Sequence, residues 1–180
     1  MGTIGDPFVV IITGVMAAGK STVARLLAER LPKAAYVPGD TFRRMIVSGR
    51  HEMTPDAPPE AESQLRLRYR LAAMTADAYV EAGFNAVVQD IIIGGDLGEF
   101  VELVKSRPLY VVVLAPSAEA VAAREAARPK TGYAEWSVEE LVRSLHEDTP
   151  RIGLWIDSSH QTPEQTVEEI LSRARNEAAV

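Results

Sequence analysis

Short apolar runs alternate along this chain with longer stretches in which apolar residues recur every three or four positions, the pattern of strands followed by helices. Phe8 to Thr13 reads as a first, buried strand. Lys20 to Leu31 carries Val23, Leu26, Leu27 and Leu31 at helical spacing, and Pro32 stops it. Ala35 to Val37 reads as a short second strand that ends at Pro38-Gly39-Asp40, and Thr41 to Val47 as a short helix. Ser48 to Pro59 holds Gly49, Pro55, Pro58 and Pro59, too many breakers for regular structure, and reads as a surface loop. Glu60 to Ala82 has the pattern of a long helix, with Leu67, Leu71, Met74 and Ala78 on one stripe and Gly83 as its C-terminal cap.

The second half repeats the alternation. Phe84 to Ile93 reads as the third strand, with Asp90 inside or just past it, followed by a Gly94-Gly95 turn and a helix from Asp96 to Lys105. Leu109 to Ala115 is almost wholly apolar, as expected of a strand covered on both faces. Ser117 precedes a helix from Ala118 to Ala127, which Pro129-Lys130-Thr131-Gly132 interrupts. Ser137 and Glu140 form a capping box for a helix to Glu147. Gly153 to Asp157 is a fifth strand, and Thr162-Pro163 opens a last helix, Glu164 to Glu177, with Val167, Ile170 and Leu171 facing inward. Five strands alternating with helices predict an α/β fold: a doubly wound parallel sheet, five-stranded, in a three-layer α/β/α arrangement.

The turn after the first strand carries the chemistry. Gly14-Val15-Met16-Ala17-Ala18-Gly19-Lys20-Ser21 fits the phosphate-loop pattern G-x-x-x-x-G-K-S/T between a strand and a helix. Glycines let backbone N–H groups close on phosphate oxygens, the helix presents its positive end, Lys20 reaches the β- and γ-phosphates, and Ser21 holds Mg²⁺. Gly14 to Thr22 is therefore the expected site for ATP. Asp40 and Asp90 each sit at a strand's carboxyl end, the edge where open parallel sheets bind ligands. Asp40 is expected to face the same crevice as the phosphate loop, with capping of the helix after it as the alternative. Asp90 is expected as a second magnesium anchor, with capping of the next turn as the alternative. Arg124 and Arg128 share a helical face beside the Pro-Gly interruption, an arrangement suited to a lid over a nucleotide, or else to salt bridges with Glu119 or Glu125. Arg66, Arg68 and Arg70 read as solvated surface paired with acids such as Glu62.

Length and 47% hydrophobic content fit one domain over residues 1–180. Within it, a lid-like segment spans about 117–135 and an acceptor-covering segment about 41–82. A balance of 19 Lys+Arg against 25 Asp+Glu gives a net charge of −6, which argues against a nucleic-acid partner. The absence of cysteine excludes disulfides and thiolate sites and fits a cytoplasmic setting. The N-terminus has no signal pattern and no stretch long enough to span a membrane, and Asp6 breaks the myristoylation pattern. His51, His146 and His160 show no metal-ligand spacing.

These segments resemble the small P-loop kinases with the nucleoside monophosphate kinase fold, and within them the chloramphenicol phosphotransferase family. The resemblance rests on Gly14 to Ser21, Asp40, Gln89-Asp90-Ile91-Ile92-Ile93-Gly94-Gly95, Arg124-Glu125-Ala126-Ala127-Arg128 and Ile156-Asp157-Ser158-Ser159-His160, in that order over most of the chain. It implies transfer of the γ-phosphate of ATP to a hydroxyl of a small molecule, antibiotic or metabolite. Asp40 takes the family's role of general base, and Lys20 and Arg128 stabilise charge. Pro129-Lys130-Thr131 departs from the family pattern, which has a further arginine there. The segment Pro38 to Arg44 is also similar to the acceptor segment of adenylate kinases, where an arginine grips a phosphate, so Arg43 and Arg44 keep a nucleotide or phosphometabolite kinase open. A nucleotide-dependent switch is the third possibility.

Overall fold

The computed structural model describes residues 6–127 and 136–180. Five parallel strands form one sheet: β1 Val9–Thr13, β2 Ala34–Pro38, β3 Asn85–Gln89, β4 Leu109–Leu114 and β5 Leu154–Ile156, in the order β2-β3-β1-β4-β5. Around it lie α1 Lys20–Arg30, α2 Asp40–Met45, α3 Pro59–Glu81, α4 Asp96–Leu103, α5 Ala118–Ala126, α6 Val138–Glu147 and α7 Pro163–Glu177. Every residue of β1 and β3 is buried, as a central parallel strand covered on both faces requires. The predicted architecture holds, with the short second strand and the helix boundaries within a residue or two of those read from the pattern.

The order of the strands changes which residues meet. β3, not β2, lies beside β1, with Ile12 opposite Gln89 and Pro38 opposite Gln89 on the far side. The carboxyl end of β3 therefore adjoins the phosphate loop, and Asp40 stands one strand further out. Thr13 fastens this edge: its hydroxyl donates to Ile92 O at 2.7 Å and accepts from Ile92 N at 2.9 Å.

Two helices depart from the expected inward face, α3 over most of its stripe and α7 at Leu171 alone. In α3 the buried residues are Ala61, Tyr69, Ala72, Ala73 and Ala76, whereas Leu67, Met74 and Ala78 are exposed and Leu71 is half-buried. Small alanines let the helix approach the sheet closely, so the larger apolar side chains are left on its outer side. Leu67 and Leu71 are used there, in the wall of a cleft. In α7, Thr166, Val167 and Ile170 are buried but Leu171 is exposed. Its N-terminus is closed by a capping box: Gln165 N donates to Thr162 Oγ1 at 3.2 Å and Thr162 N to Gln165 Oε1 at 2.9 Å. At α6, Ser137 accepts from Glu140 N at 3.0 Å, the Ser137 half of the expected capping box. Among the described residues no helix is long and apolar enough to cross a membrane.

Candidate functional site

The loop after β1 is shaped as an anion cradle. Gly14 has φ 144°, and a Cβ there would lie 2.5 Å from Leu114 O, so both conformation and space exclude a side chain. Gly19 is the N-cap of α1 in the left-handed region; no side chain caps it, and the first turn holds no acid. That helix end offers its first N–H groups and positive end to an external anion. Lys20 is buried, and its Nζ donates to Val15 O at 2.7 Å, which folds the side chain back under the loop. Ser21 Oγ donates to Gln89 Oε1 at 3.2 Å, an oxygen that also accepts from Tyr36 OH at 3.1 Å.

Beside the loop, Asp90 is buried to 1% exposure at the end of β3. Arg68 of α3 grips both its oxygens: Nε donates to Oδ2 at 2.6 Å and a terminal nitrogen donates to Oδ1. Ile91 N adds a bond to Oδ1 at 2.7 Å. This corrects the reading of Arg68 as solvated surface. Burying a carboxylate demands a partner, and removing one member of such a pair typically costs about 3–5 kcal/mol. Arg66 does behave as surface, paired with Glu62 at 3.0 Å and also with Glu99, and Arg70 is exposed.

Asp40 is the first residue of α2, and Gly39 occupies the N-cap with no side-chain cap bond. The capping alternative therefore fails. Instead the carboxylate receives Arg43 Nε at 2.8 Å and Arg44 Nε at 3.0 Å, from the i+3 and i+4 positions. Arg43 also holds Glu52 at 2.5 Å. Partial burial alone would raise the Asp40 carboxyl, but the bond from Arg43 and the charges of Arg43, Arg68 and Arg44 outweigh it and hold it below the ordinary aspartate value. Asp40 is an anion at neutral pH.

Loop, Asp40 and Asp90 face one cleft of about 1070 Å³. Its lining is mixed: apolar side chains, among them Phe42, Met45, Met53, Leu67, Trp136 and Leu141, stand beside Arg43, His51, Glu52 and Gln64. Met45, Met53 and Leu67 are exposed, and the Trp136 indole N–H donates to Met53 O at 3.4 Å. Arg124 of α5, also in the lining, donates to Ala18 O of the phosphate loop at 3.2 Å and to Ser158 O after β5 at 2.5 Å. Arg124 thus joins the loop to the segment Ser158 to Gln161. Arg128 and the rest of residues 128–135, the second part of the segment 117–135 expected to form a lid, lie outside the described residues. Among those described, no three acids, histidines or cysteines cluster as metal ligands.

Sequence reasoning missed Arg68, Gln89, Tyr36 and Glu52. Arg43 and Arg44, read from the sequence as acceptor-binding, are instead paired with Asp40 at i+3 and i+4, and the partner of Arg68 lies 22 positions away beyond another element. A signal for it existed: Arg68 falls between Leu65 and Ala72, one turn from each, and beside Tyr69 on the face that α3 turns to the sheet.

The comparisons agree with this geometry. The structure is similar to a sugar kinase from Janibacter sp. (TM-score 0.69, 20% identity, covering 93% of this chain and 94% of that one). It is similar to the tunicamycin resistance protein of Deinococcus radiodurans (TM-score 0.65, 20% identity, 93% and 95% covered). It is also similar to the APS kinase of Mycobacterium tuberculosis in complex with AMPPNP and APS (TM-score 0.68, 16% identity, 93% and 96% covered). At these identities the likeness is one of fold, that of the small P-loop kinases. No curated protein matches the sequence. The family described as "AAA domain" matches residues 9–147, the phosphate loop, Asp40, Asp90 and Arg124 included, and the chain belongs to that family.

Proposed function

We propose that this protein is an ATP-dependent phosphotransferase that moves the γ-phosphate to a hydroxyl of a small uncharged molecule, with Asp40 receiving the hydroxyl proton. The observation that carries the reading is Asp40 itself, an ionised carboxylate in the wall of the phosphate-loop cleft with no capping duty. In phosphoryl transfer the protein's work is mainly positioning and charge balance. Lys20 and the N-terminus of α1 hold the phosphates, and Arg124 braces the loop from behind. Ser21 suits Mg²⁺ as an oxygen donor, since that ion takes few protein ligands beside phosphates and water, and Asp90, both of whose oxygens Arg68 holds, would reach it through a bound water. Bound there, Mg²⁺ neutralises phosphate charge. A late proton loss, as a loose transition state allows, makes a weak base such as Asp40 adequate.

Two features favour a neutral acceptor over a phosphorylated one. The cations nearest Asp40 are engaged, Arg43 with Asp40 and Glu52, Arg44 with Asp40 and Arg68 with Asp90, and many of the side chains lining the cleft are apolar. The test is an ATP-coupled screen over alcohols, antibiotics including chloramphenicol, sugars and nucleosides, with nucleoside monophosphates alongside. A neutral hydroxyl compound is expected to stimulate ADP release. Stimulation by monophosphates alone would move the assignment to a phosphometabolite kinase, and slow hydrolysis indifferent to every compound would favour a nucleotide-dependent switch.

Arg124→Ala removes two hydrogen bonds from a charged donor, each worth about 1.5–3 kcal/mol when intact. Both ends of the brace are backbone carbonyls, so no side chain is left unpaired. Nucleotide affinity is expected to fall about 10-fold, on the lower of those figures, while the fold is kept. Calorimetric titration with AMPPNP reads this directly, and an unchanged Kd removes Arg124 from the nucleotide site.

A further inference from the structure

We infer that Arg68 is a positioning residue for Asp40, acting through Asp90 and Gly39; the inference rests on Asp40 being the base. The chain of contact is short. Arg68 grips Asp90 in a two-pronged ion pair, and Ile91 N fixes the same carboxylate from the backbone. Asp90 Oδ2 then occupies the space a side chain at position 39 would need: a Cβ on Gly39 would lie 1.9 Å from Oδ2 and 2.5 Å from Cγ. Gly39 has φ −59°, a conformation open to any residue, so it is the carboxylate and not the backbone angle that demands glycine. The turn is packed flat against Asp90 and tied to β3 by Gly39 N on Gln89 O at 2.9 Å.

Gly39 is the N-cap of α2 and Asp40 its first residue, so whatever sets Gly39 sets where the Asp40 backbone stands, from which Arg43 and Arg44 hold its carboxylate. Arg68 reaches Asp90 from α3, a helix anchored separately by Tyr69 OH on Ile91 O at 2.8 Å and by the edge contact of Tyr69 with Phe100. The ion pair thus links α3 to the turn that starts α2, and the carboxylate meant for the acceptor is aimed in part by an arginine that does not bond to it. A guanidinium is needed because only its planar fork fixes both carboxylate oxygens at once; an ammonium supplies charge without that orientation.

The test uses probes that need no knowledge of the acceptor: AMPPNP for affinity, ATP hydrolysis with water in place of the acceptor hydroxyl, and backbone hydrogen exchange of the free protein. Arg68→Lys keeps the charge and the fold but loses the fork, and Gly39→Ala pushes the same turn from the other side without altering Arg68 or Asp90. Both are expected to lower kcat for hydrolysis by up to about 10²-fold, the loss that a displacement near 1 Å can cause. Both should leave the AMPPNP Kd unchanged and speed exchange at Gly39 and Phe42, with α7 amides unaffected. Arg68→Lys with parental kcat and parental exchange at these amides overturns the inference, as does a matching loss of AMPPNP affinity. Faster exchange with kcat intact keeps Arg68 as the residue that fixes the turn and removes Asp40 from the role of base.

Discussion

Lys20→Ala is expected to abolish measurable ATP-dependent transfer and to weaken nucleotide binding by about 10- to 100-fold, on the roughly 1.5–3 kcal/mol of a charge-assisted contact. The side chain is buried at 6% exposure and bonded to Val15 O, so its ammonium is already held within the phosphate loop. A cation held in that way meets a phosphate without reorganising, and it counts for more in the transition state than in the ground state because charge shifts onto the transferring group there. The variant also frees Val15 O, a carbonyl that water can satisfy in an open cleft, so the melting temperature should move little. Turnover in a coupled assay and AMPPNP titration check both halves. Parental turnover in a folded Lys20→Ala protein removes the loop from the reaction.

Elements whose identity depends on neighbours in sequence were legible before any coordinates. β1, α1 and the phosphate loop between them follow from an apolar run, a helical spacing and fixed glycines, and the alternation of strands and helices predicts a parallel sheet. Strand order does not follow from that alternation. Position in the chain suggests that β2 lies beside the phosphate loop, whereas β3 does, which brings Asp90 next to the loop and moves Asp40 one strand outward. The inward face of α3 was misread for a related reason. Apolar spacing weights large side chains, yet the face that packs on the sheet is made of alanines, while Leu67 and Leu71 line the cleft. The i+3 and i+4 spacing of Arg43 and Arg44 from Asp40 carried the pairing, although the two arginines read more readily as grips for an acceptor phosphate. The partner of Asp90 was not, because only the packing of α3 brings Arg68 across.

Asp40→Asn separates chemistry from architecture. Asparagine can still accept from Arg43, and Arg43 keeps Glu52, so the substitution removes charge from a half-exposed cluster of the kind whose pairs are typically worth about 0–1 kcal/mol. Stability should change by no more than that, read as a melting temperature or a denaturant midpoint. Nucleotide affinity should hold as well, since Asp40 stands one strand away from the loop that binds phosphate. The loss should appear in kcat alone. An amide cannot take the hydroxyl's proton, and removing a positioned base typically costs about 10²–10⁴-fold in rate. Such a pattern, kcat lowered with Kd for AMPPNP and the melting point kept, marks an interaction made only in the transition state. Asp40→Glu offers a graded control: the carboxylate returns on a longer arm, and partial recovery of rate is expected because proton acceptance survives while aim does not. If Asp40→Asn turns over at the parental rate with the best acceptor of the screen, the proton leaves by another route and Asp40 serves only its two arginines.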